Sequence, residues 1–198
     1  MSLQMGGDRV VVIGAGHAGV EAAWAAARLG LPVTVCAALP ARVGHMPCNP
    51  AVGGTAKGHI VREIDALGGC MGYLTDLSGI QFKVLNRARG PAVWSPRAQV
   101  DKAAYELNAR ELLEQQPGIE WVRSRVDAVD VVGGRVRGVW LEGGECIACA
   151  AAVVCTGTFL NGLIHIGAER RPAGRVGEAP SLGLAEWLKV QGFKWGRL

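Results

Sequence analysis

The sequence predicts an α/β fold: a parallel sheet opened by a strand–turn–helix unit, with a β-meander appended. Three observations carry that reading. A β-branched run, Arg9–Ile13, leads through Gly14-Ala15-Gly16-His17-Ala18-Gly19 into an alanine-rich segment. A second apolar run, Leu31–Cys36, follows one helix length later. Further along, Gly133-Gly134 and Gly143-Gly144 punctuate short apolar runs as hairpin turns do.

Each element has a local reason. Arg9–Ile13 reads as a buried strand. Val20–Leu29 is free of glycine and proline and reads as a helix, with Gly30 as its C-cap. Leu31–Cys36 is then the second parallel strand, which makes a βαβ unit of the Rossmann-like kind. Ala37–Lys57 reads as a long loop, a type of segment that often carries function. Ile60, Ile64 and Leu67 give Gly58–Leu67 a helical period. Val100, Ala104, Leu107 and Glu111 suggest a helix over Pro96–Leu113, ended by Pro117-Gly118. Ile119–Val122 and Val126–Val132 read as strands, as do Arg135–Glu142 and Glu145–Val154. Such a meander feeds back into the parallel sheet near Val153-Val154-Cys155-Thr156-Gly157. Arg170–Gly177 is a basic, glycine-containing stretch, and Ser181–Val190 reads as a last helix.

The chain has 198 residues, 49% of them apolar and 19% charged, which bounds it to a globular class with one sizeable core. Apolar runs stay well short of the roughly eighteen residues that a membrane span needs. No basic region followed by a long apolar stretch marks a secretory signal, so a cytoplasmic chain is expected. Met1–Gly7 is expected to be a flexible lead, with one domain over 8–198. Six cysteines fit a reducing compartment. Cys146 and Cys149 form a C-x-x-C without two further ligands at short spacing, so no metal site is expected. The net charge of +4 is uneven. Between Leu77 and Val100 there is no acid, while Lys83, Arg87, Arg89 and Arg97 fall there, a footprint that permits phosphate or RNA contact.

The glycine turn points to a dinucleotide. Gly14 allows the tight turn, Gly16 lets backbone approach a pyrophosphate, and Gly19 lets the helix pack against the sheet. The helix N-terminus favours the phosphates. The acid that normally takes the ribose at the end of the second strand is missing, since Cys36 runs on into Ala37, Ala38 and Leu39. The meander and Thr156-Gly157 favour FAD over NAD, because that layout resembles the flavoproteins with two dinucleotide-binding domains.

In order along the chain stand IGAGHAGVEAA, GHMPCNPAVGG, AKGHIVREIDALGG, GIQFKVLNRARGPAVWSPRAQVDK, VVCTGTFLNGLIHIG and GRVGEAPS. Together they resemble the N-terminal part of the GidA/MnmG family of tRNA uridine 5-carboxymethylaminomethyl modification enzymes. The resemblance implies FAD held by Gly14, Ala15, Gly16, His17, Ala18 and Gly19. It implies an adenine contact at Val126 and further FAD contacts at Thr156, Gly157 and Ser181. It implies Cys48, in PCNP, as one of two catalytic cysteines, with His45, Lys57 and His59 close by in sequence. NADH, methylene-tetrahydrofolate, tRNA, a GTPase partner (MnmE-like) and a homodimer are implied likewise. Trp94 stands where the family usually has arginine. The family's NAD-binding insertion, second FAD segment and helical C-terminal region would lie beyond Leu198, so the chain reads as a first FAD-binding segment that is silent alone. A folate-dependent relative that methylates another tRNA uridine, and a non-catalytic FAD- or RNA-binding module, are the alternatives.

Overall fold

Residues 8–39, 42–46, 49–174, 179–194 and 196 are described by the computed structural model. From the N-terminus run β1 (Val10–Ile13), α1 (His17–Arg28), β2 (Val33–Cys36), β3 (Ala51–Gly53), α2 (Lys57–Ala66) and α3 (Met71–Ser78). There follow β4 (Gly79–Leu85), β5 (Ser95–Val100), α4 (Lys102–Gln115), β6 (Ile119–Val122), β7 (Val126–Val132) and β8 (Arg135–Leu141). The chain closes with β9 (Cys146–Ala148), β10 (Ala151–Val154), β11 (Leu163–Ile166), β12 (Glu169–Pro172) and α5 (Gly183–Val190). The lead over residues 1–7 lies outside the described residues.

The central sheet is parallel throughout, in the order β10-β1-β2-β6. Its inner strands, VVVI and VTVC, are buried along their whole length because both faces are covered. Val11, Val12, Val33 and Val35 are completely buried, each worth about 2 kcal/mol of apolar burial. One face packs on α1 through Val20, Ala23 and Ala27, and on α4 through Tyr105, Ala109 and Leu113. The other packs on Val129, Val139, Leu141 and Ile147 of the meander and on Leu184 of α5. The layers are therefore helices, parallel sheet, then meander with α5.

The meander β7-β8-β9 is antiparallel, and Val139 stands between Val129 and Ile147. The predicted run Glu145–Val154 splits in two. Cys149 and Ala150 carry the chain from β9 in the meander to β10 beside β1. The hairpin β11-β12 uses the residues expected to begin a basic tail.

Two expectations need correction. Pro96–Leu113 is not one helix: Ser95–Val100 is the middle strand of an antiparallel sheet, β3-β5-β4, and the helix begins at Lys102. Asp101 caps it by accepting the Ala104 N–H at 2.9 Å, which fixes the boundary. Its buried stripe is Tyr105, Ala109 and Leu113, one step round from the stripe predicted, and Leu107 is exposed. The loop Ala37–Lys57 is not all loop, since Ala51–Gly53 pairs with Gln99–Arg97 as β3. In α2 the predicted spacing finds the helix but not a buried face: Ile60 and Leu67 are both exposed.

Candidate dinucleotide site

The three glycines of the first turn have three separate geometries. Gly14 has φ +105°, and a Cβ there would lie 2.5 Å from the Cys155 carbonyl oxygen, so no side chain fits. A Cβ on Gly19 would lie 1.9 Å from the Gly14 carbonyl oxygen; its absence lets α1 lie against the turn. Gly16 is ordinary extended backbone, φ −71° and ψ −175°, and nothing lies within 4 Å of where its Cβ would be. Gly14 and Gly19 are thus required by packing, whereas Gly16 leaves space.

That space belongs to a cleft of about 630 Å³. It is lined by Ile13–Gly16, by Cys36–Leu39 after β2, and by Arg42 and His45. Its other walls are Arg123–Val126, Glu142, Cys155–Phe159, Ala179 and Ser181. Of the residues singled out from sequence, Gly14, Ala15, Gly16, Val126, Thr156, Gly157 and Ser181 meet here, brought from four separate segments. His17, Ala18 and Gly19 form the first turn of α1 beneath it and do not line it. The His17 ring instead meets Tyr105 edge-on, with centroids 5.6 Å apart.

Local bonds explain the convergence. Cys155 N–H donates to Ile13 at 2.8 Å, carrying β10 one residue past its end and setting Thr156 beside the glycine turn. Gly157, at φ +55°, opens a 3₁₀ turn through Phe159. Ser181 is tied to that turn: its N–H donates to Phe159 at 2.8 Å, and its carbonyl accepts from Asn161 at 3.0 Å.

The walls are basic and the anion end is prepared. Helix α1 starts at the cleft with no side-chain cap and no acid in its first turn, so its positive end is left for an anion. Arg42, Arg123 and Arg125 add positive charge. Glu142 is the one carboxylate among the described lining residues, and Arg125 holds it at 3.3 Å. No polar side chain between Cys36 and Leu39 compensates for the missing acid after β2. Burial, with Cys149 adding to it, pushes the Cys36 thiol up to about 12, and burial raises Cys155 as well. Burial thus favours the protonated, less nucleophilic form of both thiols. A pyrophosphate dinucleotide fits this donor set: a glycine turn open at Gly16, a free helix end, and three arginines.

Cys48 and its neighbour Pro47 lie outside the described residues. The bases expected near it are placed differently from one another. His45 lines the cleft and pairs through Nδ1 with Glu106 of α4, a partner 61 residues away that no local pattern announces. Lys57 Nζ donates to the Ala51 carbonyl at 3.1 Å, and burial lowers its pKa. His59 is exposed on α2. Glu142, Arg42, Arg123 and Arg125 were not singled out from sequence; only the Gly143-Gly144 turn marks the place where Glu142 is presented.

Lys83, Arg87, Arg89 and Arg97 lie on and beside the β3-β5-β4 sheet, away from this cleft. The Trp94 indole donates to the Arg87 carbonyl at 3.2 Å. Burial raises the thiols of both Cys146 and Cys149. Among the described residues no group of three or more His, Cys, Asp or Glu gathers to hold a metal, and no helix is long and apolar enough to cross a membrane.

Comparison with known proteins places the chain in a family. The family described as GIDA, Glucose inhibited division protein A, matches residues 9–198. A protein of Chlamydia trachomatis serovar A named tRNA uridine 5-carboxymethylaminomethyl modification enzyme MnmG is 52% identical over 189 residues, which are 96% of this chain and 31% of that one. The protein of the same name from Desulfotalea psychrophila is 50% identical, over 96% of this chain and 29% of its own. The chain thus spans about a third of the length of these relatives. The solved structure of Aquifex aeolicus GidA, in its form I crystal, superposes with a TM-score of 0.90 at 47% identity, covering 94% of this chain and 31% of that one. A GidA-related protein from Thermus thermophilus shares the fold at 23% identity and a TM-score of 0.63, over 94% and 69%. Matched along almost its whole length, the chain belongs to the glucose inhibited division protein A family.

Proposed function

We propose that this chain is the flavin-holding portion of an enzyme that modifies the wobble uridine of tRNA. That enzyme installs a (carboxymethyl)aminomethyl group at C5, with methylene-tetrahydrofolate as carbon donor and NADH as reductant. The observation that carries the reading is the convergence of Gly14–Gly16, Val126, Thr156-Gly157 and Ser181 on one basic cleft. The relatives' names supply the tRNA and the uridine.

Bound FAD would supply the redox step. The chain's own residues would do the holding. The α1 N-terminus and the Gly16 backbone take the pyrophosphate, and Val126 takes the adenine edge. With no acid after β2, the ribose hydroxyls fall to Glu142, oriented by Arg125. Cys48, three residues beyond His45, would act as the thiolate that adds to the pyrimidine ring and makes C5 nucleophilic. The nicotinamide site, a second cysteine, the GTPase partner and a homodimer belong to this reading of the longer relatives and draw nothing from the described residues.

Flavin titration tests the first half. The purified chain should quench FAD fluorescence saturably, and Gly16→Val should not. Complementation tests the second half. A full-length protein carrying this segment should restore the modified uridine in tRNA of a strain that lacks it. FAD binding without any tRNA effect would favour a non-catalytic flavin module, and methylation of another uridine would favour the folate-dependent relative.

A further inference from the structure

His45 stands where the glycine turn and α4 meet. The Gly44 N–H donates to the Ala15 carbonyl at 2.8 Å, which ties the residue before His45 to the turn that lines the dinucleotide cleft. Gly44 has φ +63°, and a Cβ there would lie 3.2 Å from the Tyr105 ring and 3.3 Å from the Ala109 Cβ, so this backbone lies directly against α4. Val43 and Met46, on either side, are buried in the core. The imidazole is therefore carried by a segment anchored at both ends, and moving it costs core packing.

The ring is held as well. Nδ1 pairs with Glu106, and the two side chains are only 21% and 20% exposed. Glu106 follows the buried Tyr105 in α4 and does not itself line the cleft, whereas His45 does. With Nδ1 taken, Nε2 is the ring nitrogen left for a ligand. A carboxylate on Nδ1 fixes the orientation and tautomer of an imidazole and stabilises the imidazolium when it forms. The glycine turn, the free helix end and the three arginines do not require this pair.

The surroundings select the ligand group. The other titratable or charged groups around the pair are Arg42 on the same segment, Tyr105 of α4, and His17 of α1, whose ring meets Tyr105 edge-on. Arg110, one turn on from Glu106, pairs with Glu114. A neutral imidazole that gives Nδ1–H to a carboxylate offers a lone pair at Nε2, which suits a hydroxyl. A protonated one offers N–H, which suits a phosphate. The tie to Ala15 and the basic walls favour the phosphate.

We propose that His45 is a phosphate-contacting residue of the dinucleotide cleft and that Glu106 positions it: Glu106 takes Nδ1–H, and Nε2–H donates to an oxygen of the pyrophosphate. Binding of the diphosphate and of a proton are then linked, since Nε2 donates only in the imidazolium. Among the described lining residues His45 is the one imidazole, the arginines stay charged, and burial moves Cys36 and Cys155 away from neutrality. The inference rests on the dinucleotide reading above and adds a side chain to it.

Isothermal titration with ADP-ribose tests it, because that pyrophosphate is esterified at both ends and does not itself titrate near neutrality. Wild-type affinity should fall about tenfold from about pH 6 to about pH 8.5, the range in which imidazoles lose their proton, on the scale of one charged hydrogen bond. His45→Gln should bind about tenfold more weakly than wild type at the lower pH and show no such fall. Glu106→Gln, which touches no ligand and keeps an acceptor for Nδ1–H, should weaken binding at the lower pH by about threefold. Adenosine, which has no phosphate, should bind all three proteins equally. A pH-independent affinity in the wild type, or the same fall in His45→Gln, overturns the phosphate contact and leaves the dinucleotide reading standing. No ADP-ribose binding by the folded wild-type chain defeats both. If both variants lose melting temperature and weaken adenosine and ADP-ribose alike, the pair is a structural tie to α4 and the proposal fails.

Discussion

Glu21, in the second turn of α1, accepts backbone N–H groups from Cys70 at 3.1 Å and Met71 at 2.6 Å. These N–H groups begin α3, which has no cap of its own, and a carboxylate there meets both the orphan donors and the positive end of the helix. One side chain of the dinucleotide helix thereby fixes the start of α3. The same carboxylate, with burial as the larger cause, raises the Cys70 thiol.

Glu21→Ala should therefore destabilise the chain by about 2 kcal/mol, the scale for losing charged hydrogen bonds to partly buried donors. Urea unfolding measures it. ADP affinity should change little, because Glu21 does not line the cleft. An unchanged midpoint would show that water caps α3 as well as Glu21 does.

The glycines of the first turn predict a separation of stability from binding. Gly19→Ala places a Cβ against the Gly14 carbonyl, and must push α1 off the sheet. It should lower the melting temperature by several degrees, on the scale of about 1–3 kcal/mol for overpacking. A Cβ at Gly16 meets no atom within 4 Å, and the position needs no unusual φ. Gly16→Val should leave the melting temperature within about a degree of wild type and remove FAD binding by filling the approach to the helix end. Loss of both properties in both variants would mean that the turn folds only around its ligand.

Much of this was legible in the sequence because the signals are local. The strand–glycine–helix order, Gly30 as a helix stop at φ +82°, and the two Gly-Gly hairpins each depend on a few adjacent residues. Ser95–Val100 was not legible. Val100 and Ala104 do fall at a helical interval, but β5 is set by pairing on both sides, with β3 and with β4. A strand fixed by partners elsewhere in the chain carries little trace of itself in its own pattern, and tertiary pairing overrode propensity. The cleft divides likewise. Backbone-lined positions such as Gly14 and Gly16 are announced by glycine. Glu142 and Glu106 act through side chains that only the fold brings in.

Buried acidic protons predict an alkaline limit. Burial raises the pKa of Cys36 from 9.0 to about 12, and also raises Cys70 and Tyr105. In the unfolded chain these groups ionise at their ordinary values, so above about pH 9 the unfolded state releases protons that the folded state keeps. The stabilisation is complete below that pH and is lost as pH rises toward the folded values. Each such thiol contributes a slope of about 1.4 kcal/mol per pH unit through that window. Urea midpoints at about pH 8 and about pH 10 should fall accordingly, and Cys36→Ala should flatten the fall. A midpoint independent of pH across that range would contradict the burial of these groups.

Cys48→Ser, made in a full-length protein carrying this segment, should abolish the modified uridine in tRNA digests and shift the melting temperature by less than about 2 °C, the scale of a substitution that disturbs no packing. The expectation follows from its place in a Pro- and Gly-rich loop three residues after the cleft residue His45. A large loss of stability with residual modification would make it a packing cysteine.

The ribose of the bound dinucleotide offers the sharpest test of the cleft. The usual acceptor after β2 is replaced by Ala37, Ala38 and Leu39, and Glu142 is the one carboxylate among the described lining residues. Glu142 comes from the turn between β8 and β9, and its backbone N–H donates to the Arg125 carbonyl at 3.0 Å, so its place is fixed twice, by backbone and by the Arg125 guanidinium. If Glu142 accepts from the ribose hydroxyls, the wild-type chain should prefer ADP over 2′,3′-dideoxy-ADP by about tenfold, the scale of one charged hydrogen bond. Glu142→Gln should bring the two ligands within about twofold of each other, mostly by weakening ADP. Isothermal titration reads both affinities without any turnover. Arg125→Met should act in the same direction but less strongly, since it frees Glu142 without removing it. A preference for ADP that survives in Glu142→Gln would return the ribose to the backbone after β2.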